Sequence, residues 1–363
     1  MLSEIIIQKI INEGPIKFRD FMEMALYYPD LGYYTSAKEK IGVDGDYYTS
    51  TSLTFVFGAL IGRQIEEMWS LLGKVPFTIV EYGAGTGSMC RDILTYLKRN
   101  KRLYDELNYC IVEKNTICKK EINDFGQKVK FYNSIRDIGD VTGCILSNEL
   151  LDNFAVHRVV MKDELMEVLV GYENGFVEIL QPASQELKDY LQQLNVELPQ
   201  GFHTEINLQV LEWAKEVATA LKKGFVLTID YGYPSSELYC DYRRMGTLMC
   251  YYKHSINDCP YNYIGEQDIT THVNFSALYY WGLKNGLDCS GFTDQFHFLH
   301  GLGFVDYLRE IEKNNAKSFS DREKELLINN LLLDMGNKFK VLIQQKGIAP
   351  CQLSGLKFSK QYV

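Results

Sequence analysis

The spacing of apolar residues changes character near residue 75. Before it, the period is helical. Leu2, Ile5, Ile6 and Ile10 fall on one face of a helix that Gly14-Pro15 should end. "KFRDFMEMALYY" predicts a second helix and "LTFVFGALIGRQIEEMWSLLG" a third, with a Gly-, Asp- and Tyr-rich loop between them. After residue 75, short apolar and β-branched runs predict buried parallel strands: "FTIVEYG", "NYCIVEKN", "KVKFYNS", "GCILSNEL" and "GFVLTIDYGY". Helical patterns lie between them, and this alternation predicts βαβ units around a parallel sheet. "HRVVMKDELMEVLVGYENGFVEILQ" alternates with period two around an "ENG" turn, which predicts an antiparallel insertion at about 155–205. An irregular Tyr-rich stretch follows at about 232–270. Helical patterns then cover 275–286 and 294–313, and "NKFKVLIQQKG" reads as a last edge strand. The expected organisation is an N-terminal helical region, 1–74, and an α/β core, 75–363, that carries both insertions.

Composition narrows the function classes. With 46% apolar and 23% charged residues in 363, the chain can bury a sizeable core. A net charge of -9 disfavours a non-specific nucleic-acid binder. No apolar run reaches the roughly 18 residues of a membrane span. The first residues lack the basic n-region of a signal peptide and the Arg- and Ser-rich character of a transit peptide. Nine dispersed cysteines without a C-x-x-C suggest reduced thiols, so a cytoplasmic location is expected.

The stretch "IVEYGAGTGS" follows a predicted strand and opens a helix, the context of a cofactor loop. Glycines let the backbone approach a ligand closely, and the helix start supplies N–H groups and partial positive charge. A P-loop ending is absent, and Ser88 stands where a dinucleotide fingerprint needs its third Gly or Ala. The pattern Glu81-x-Gly83-x-Gly85-x-Gly87 instead resembles motif I of class I S-adenosylmethionine (SAM) methyltransferases. Glu113 closes the second strand, where a carboxylate can accept both ribose hydroxyls. Asn133 and Ser134 end the third strand, within reach of an adenine. Asn148 and Glu149 end the fourth, and ligands of open α/β sheets sit beyond such ends. His297 and His300 form H-x-x-H without an evident third ligand, so no metal site is expected.

Six segments occur in order: "GPIKFRDFMEMALYYPDLGYY", "GDYYTS", "VEYGAGTG", "SNELLDNFAVHRV", "LTIDYGY" and "ITTHVNFSAL". Together they resemble the MidA-like family of SAM-dependent methyltransferases, over roughly residues 14–305. That family includes the mitochondrial complex I assembly factor with protein-arginine methyltransferase activity. The resemblance implies a Rossmann-like, mostly parallel seven-stranded sheet with an N-terminal helical extension and insertions. It implies SAM as cofactor and methyl transfer to a protein side chain, arginine first, as a respiratory-complex assembly factor would do. Methylation of a small molecule, or SAM binding by an assembly protein without essential catalysis, are the alternatives.

By the same resemblance Glu81, Gly83, Gly85, Gly87 and Glu113 contact SAM, and Asp46, Thr49 and Ser50 of "GDYYTS" approach it from the N-terminal region. Asn148, Glu149 and Asp152 lie near the transfer site. A protonated guanidinium is a poor nucleophile, with a pKa above about 12. Carboxylates must therefore orient it and receive its proton, and Glu149 and Asp152 are the candidates, with Asp230 in reserve. His272 could accept or donate there, and Tyr231, Tyr233, Tyr251 and Tyr252 could line a slot for a flat cation. The chain departs from the family where "LTAHVDF" becomes "ITTHVNF", which replaces an acid with Asn274. Such changes bear on the substrate.

Overall fold

The computed structural model describes residues 1–36, 54–113, 122–313 and 320–359. Asp46, Thr49 and Ser50 lie outside the described residues. The chain divides into two compact units. A sheet unit comprises Thr49–Leu150, Ala214–Tyr231 and Trp281–Val363, and a companion unit comprises Met1–Tyr48, Leu151–Trp213 and Gly232–Tyr280.

The sheet unit is built on strands β1 (Phe77–Tyr82), β2 (Leu107–Val112), β3 (Val129–Tyr132), β4 (Val141–Asn148), β5 (Leu221–Tyr233), β6 (Asp288–Asp294) and β7 (Phe339–Lys346). Their spatial order is β6-β7-β5-β4-β1-β2-β3. The five strands from β5 to β3 run parallel, and β7 runs antiparallel to both neighbours. The last two residues of β5, Gly232 and Tyr233, belong to the companion unit and pair there in parallel with Val273–Asn274.

Two differences from the sequence expectation arise in this unit. The run "NKFKVLIQQKG" forms an inner strand, because β6 covers its far side. That edge strand reads "DCSGFTD", whose polar residues carry no apolar run, so the sequence pattern hides it. The helical pattern at 294–313 breaks into Gln295–Gly301 and Phe304–Lys313 around Gly303.

The helix Phe55–Leu71 belongs to the sheet unit, so the expected boundary at residue 74 does not match this division. Thr54 caps its start by accepting the Val56 N–H. Gly58 and Gly62 share one face, and a Cβ there would stand 2.6 Å from Asp92 Cβ and 2.8 Å from Tyr96 Cδ1. Only glycine lets this helix lie so close to the helix Ser88–Leu97. The apolar residues of both helices and of the strands share one core, with Phe57, Ile61, Ile79, Ile93, Cys144 and Leu227 fully buried.

The companion unit joins segments that the sequence reading kept apart. Ile16–Lys17 pairs antiparallel with Val170 and Leu169 of the strand Leu165–Tyr172, inside the expected antiparallel insertion. The insertion also contains His157–Met161, Phe176–Pro182 and His203–Ile206. A second small sheet, from Met249–Tyr252, Ser255–Asn257 and Asp268–Thr270, forms within the stretch expected to be irregular. Leu2, Ile6, Phe18, Phe21, Val170, Cys250 and Ile269 meet in a common core. The N-terminal helices thus pack with the two later segments and do not form a region of their own.

Candidate cofactor and methyl-transfer sites

In the sheet unit, β1 delivers the glycine loop to the start of the helix Ser88–Leu97. Gly83, Gly85 and Gly87 all adopt left-handed backbone, with φ of 67°, 55° and 86°. Gly87 is the helix N-cap residue. The Gly83 N–H donates to Val112 O at 3.0 Å, and a Cβ on Gly83 would lie 2.8 Å from Leu150 Cδ1. Thr86 and Ser88 pair their hydroxyls at 2.8 Å. The loop is therefore a cradle that side chains would fill.

Glu81 stands beneath this cradle and is fully buried. Its Oε2 accepts the Tyr109 hydroxyl at 2.6 Å, and its Oε1 has no partner among the described residues. Burial, with a smaller push from the Glu113 charge, raises its carboxyl to about 7, although the Tyr109 bond pulls the other way. Glu113 is half-buried just beyond β2, where its N–H donates to Tyr132 O. Asn133 is exposed. The Ser134 hydroxyl accepts the Arg136 N–H and so caps a 3-10 turn, which leaves it a local task.

At the end of β4, Ser147 and Asn148 are buried, and Ser147 Oγ and Asn148 Oδ1 find no partner among the described residues. Asn148 Nδ2 donates to Glu149 Oε1 at 3.0 Å. Glu149 itself has φ 51°, a left-handed conformation that costs a non-glycine residue about 1–2 kcal/mol. The Glu149 N–H donates to Ile229 O, and the Leu150 N–H donates to Asp230 Oδ2 at 3.1 Å. Asp230 Oδ1 accepts the Tyr231 N–H at 2.9 Å. Asp230 is fully buried. Each of its oxygens thus takes a main-chain donor.

The companion unit carries a second polar cluster. Asp152 is buried in the turn Leu151–Asn153, and its carbonyl accepts the Thr271 N–H. Tyr27 donates to Asn153 Oδ1 at 2.6 Å, and Tyr34 donates to both oxygens of Asp268 at 2.9 and 2.8 Å. The Tyr27 and Tyr34 rings stack at 5.5 Å. Burial raises the Tyr251 pKa, and the nearby Asp152 and Asp268 carboxylates add to the rise.

His272 is half-buried against the Tyr233 ring, and its N–H donates to Thr247 Oγ1. Thr247 in turn donates through N–H and hydroxyl to the buried Glu205. Asn274 is a hub. Its Nδ2 donates to the Tyr190 and Tyr239 hydroxyls, and its Oδ1 accepts the Ser235 hydroxyl and the Ala277 N–H.

Three of the four tyrosines expected to line a slot have ring partners of their own. The Arg243 guanidinium already covers the Tyr233 ring at 3.6 Å, Tyr252 stacks on Tyr263 at 4.0 Å, and Tyr231 packs on Phe339 at 4.2 Å. His297 has a carboxylate nearby: its Nδ1 lies 2.7 Å from Asp294 Oδ1. No group of three or more potential metal ligands occurs among the described residues. No helix among them is long and apolar enough to cross a membrane.

Residues 60–293 match the family model described as "Putative S-adenosyl-L-methionine-dependent methyltransferase". The chain belongs to this family. A crystal structure from Burkholderia thailandensis bound to S-adenosyl-homocysteine superposes with a TM-score of 0.88 at 28% identity, covering 99% of this chain and 95% of that one. The Caenorhabditis elegans "Protein arginine methyltransferase NDUFAF7 homolog, mitochondrial" is 27% identical over 93% of this chain and 85% of its own length. The Drosophila melanogaster protein of the same name is 23% identical over 95% and 85%.

These findings make SAM the cofactor of this methyltransferase. They also overturn the expected cytoplasmic location, because these curated relatives are named as mitochondrial proteins. The glycine cradle and the buried polar atoms at the ends of β1 and β4 fit a ligand with a cationic amine and ribose hydroxyls. The sequence reading missed Tyr109 and Leu150, which support the methyltransferase's loop from a neighbouring strand and turn. It also missed Tyr27, Tyr34 and Asp268, whose partners lie 126 and 234 residues away. No local pattern announces such pairs.

Proposed function

We propose that this SAM-dependent methyltransferase transfers the methyl group to an arginine side chain of a protein. The observation that carries this reading is the likeness, over more than nine-tenths of the chain, to proteins named as arginine methyltransferases. Bound SAM supplies the activated methyl group. The glycine loop offers its N–H groups and the helix start at Ser88 to hold it, and Glu113 accepts ribose hydroxyls. Alignment of donor and acceptor is the main task of this chemistry and contributes several kcal/mol, on the order of 7–11 at best. Glu149 orients a guanidinium at the end of β4 and takes up the proton that it releases. Its left-handed backbone supports this role, since strain of this kind persists where surrounding structure enforces it.

The test is incubation of a lysate that lacks the enzyme with purified protein and methyl-labelled SAM. Mass spectrometry should find labelled methylarginine in one or a few proteins. Label confined to small molecules, or absent while SAM binds, would reject the reading. The Glu149→Gln variant should bind SAM normally and lose at least a hundredfold in labelling rate, in line with loss of a general base.

A further inference from the structure

Asp230 is a fully buried carboxylate near the end of a central strand. Its partners explain it. Oδ2 accepts the Leu150 N–H and Oδ1 accepts the Tyr231 N–H. One residue before Leu150, the Glu149 N–H is fixed by Ile229 O, the carbonyl just ahead of Asp230. The end of β5 thus holds two successive amides of the turn that leaves β4, and holds Glu149 at φ 51°. Leu150 then faces the glycine loop, with its Cδ1 2.8 Å from where a Gly83 Cβ would stand. Gly83 is tied on its other side to Val112 O of β2. A continuous set of contacts therefore runs across the ends of four adjacent strands, β5, β4, β1 and β2.

We propose that Asp230 is a positioning residue for methyl transfer. Acting through the Leu150 amide, it sets the height of the Leu150 side chain under Gly83, and with it the shape of the SAM cradle, while fixing the backbone that presents Glu149. The property it contributes is hydrogen-bond acceptance by an oxygen at the Oδ2 position. Negative charge at the reacting centre is not its contribution. The test reads SAM binding and amide exchange alone, so the inference stands or falls independently of the arginine assignment.

Three variants of the full chain test it: Asp230→Asn, Asp230→Ala and Leu150→Ala. Each is measured for SAM affinity by titration calorimetry and for amide hydrogen exchange at Leu150 and Gly83. Asparagine retains an acceptor oxygen, so Asp230→Asn should keep SAM affinity within about fivefold and keep the Leu150 amide protected. Asp230→Ala should weaken SAM at least tenfold and release both amides to exchange. Leu150→Ala should weaken SAM to a similar degree while its own amide stays protected, because Asp230 is intact. This third variant also guards against a misfolded Asp230→Ala. If Asp230→Asn is as damaging as alanine, or if Asp230→Ala leaves SAM affinity and Leu150 protection unchanged, the inference is overturned. It is equally overturned if Leu150→Ala binds SAM as tightly as the wild type.

Discussion

The two units assemble their polar interiors in opposite ways. In the sheet unit, the residues around the cofactor loop sit at the ends of parallel strands, and they leave acceptor atoms of Glu81, Ser147 and Asn148 without partners among the described residues. In the companion unit, Tyr27 reaches Asn153 and Tyr34 reaches Asp268, 126 and 234 residues along the chain, and Asn274 engages four groups at once. A buried carboxyl shows the contrast. Glu81 has one hydroxyl donor and is pushed up to about 7. Asp268 takes two bonds from one tyrosine and a third from the Ile269 N–H. At the cofactor loop the open acceptors of Glu81, Ser147 and Asn148 suit a ligand, whereas the bonds that Asp268 receives suit a structural carboxylate.

The largest expected effect tests the cradle. Gly83→Val would place branched carbon at left-handed φ and 2.8 Å from Leu150 Cδ1. SAM affinity should fall at least a hundredfold, about 3 kcal/mol, in calorimetry. Retained affinity would show that the loop tolerates filling.

Glu81→Gln comes next. Folding raises this carboxyl from 4.5 to about 7, so the folded chain holds the proton more tightly. Its contribution to stability is complete below pH 4.5 and is lost as pH rises through 7. Glutamine does not titrate and can still accept the Tyr109 hydroxyl. The variant should therefore gain about 3 kcal/mol over wild type at pH 8 and nothing at pH 4 in denaturant unfolding. Parallel stability curves across that range would refute the assignment.

On the scaffold side, Tyr34→Phe removes a donor from a carboxylate that is 2% exposed. A loss of about 2 kcal/mol is expected, read as a lower unfolding midpoint, with SAM affinity unchanged. If SAM binding falls as well, the contrast between the units is weaker than drawn here. The smallest effect belongs to Asn133→Ala. Its side chain is exposed, so stability should change by no more than about 0.5 kcal/mol, and any loss of SAM affinity measures its contact with adenine directly.

What the sequence discloses follows the same division. Period-two and short apolar runs revealed β1 to β5, and the glycine spacing located the loop, since both signals lie within a few residues. Strand β6 stayed hidden because "DCSGFTD" is polar on both faces, and its absence made β7 look like an edge. The turn role of Asp230 could not be read, because its partner amide lies 80 residues away. The companion unit was split in the reading into three regions, since pairing of Ile16–Lys17 with Val170 and Leu169 has no local signature.

The glycines of the helix Phe55–Leu71 carry this further. They bring that helix against Asp92 and Tyr96 on the helix whose amino end carries the cofactor loop. A methyl group added at Gly58 would have to displace Asp92, and the loop would move with it. Variation at a buried position with no ligand contact would therefore present itself in an assay as a cofactor-binding defect. Cofactor affinity in this protein is a gauge of helix spacing as well as of loop chemistry.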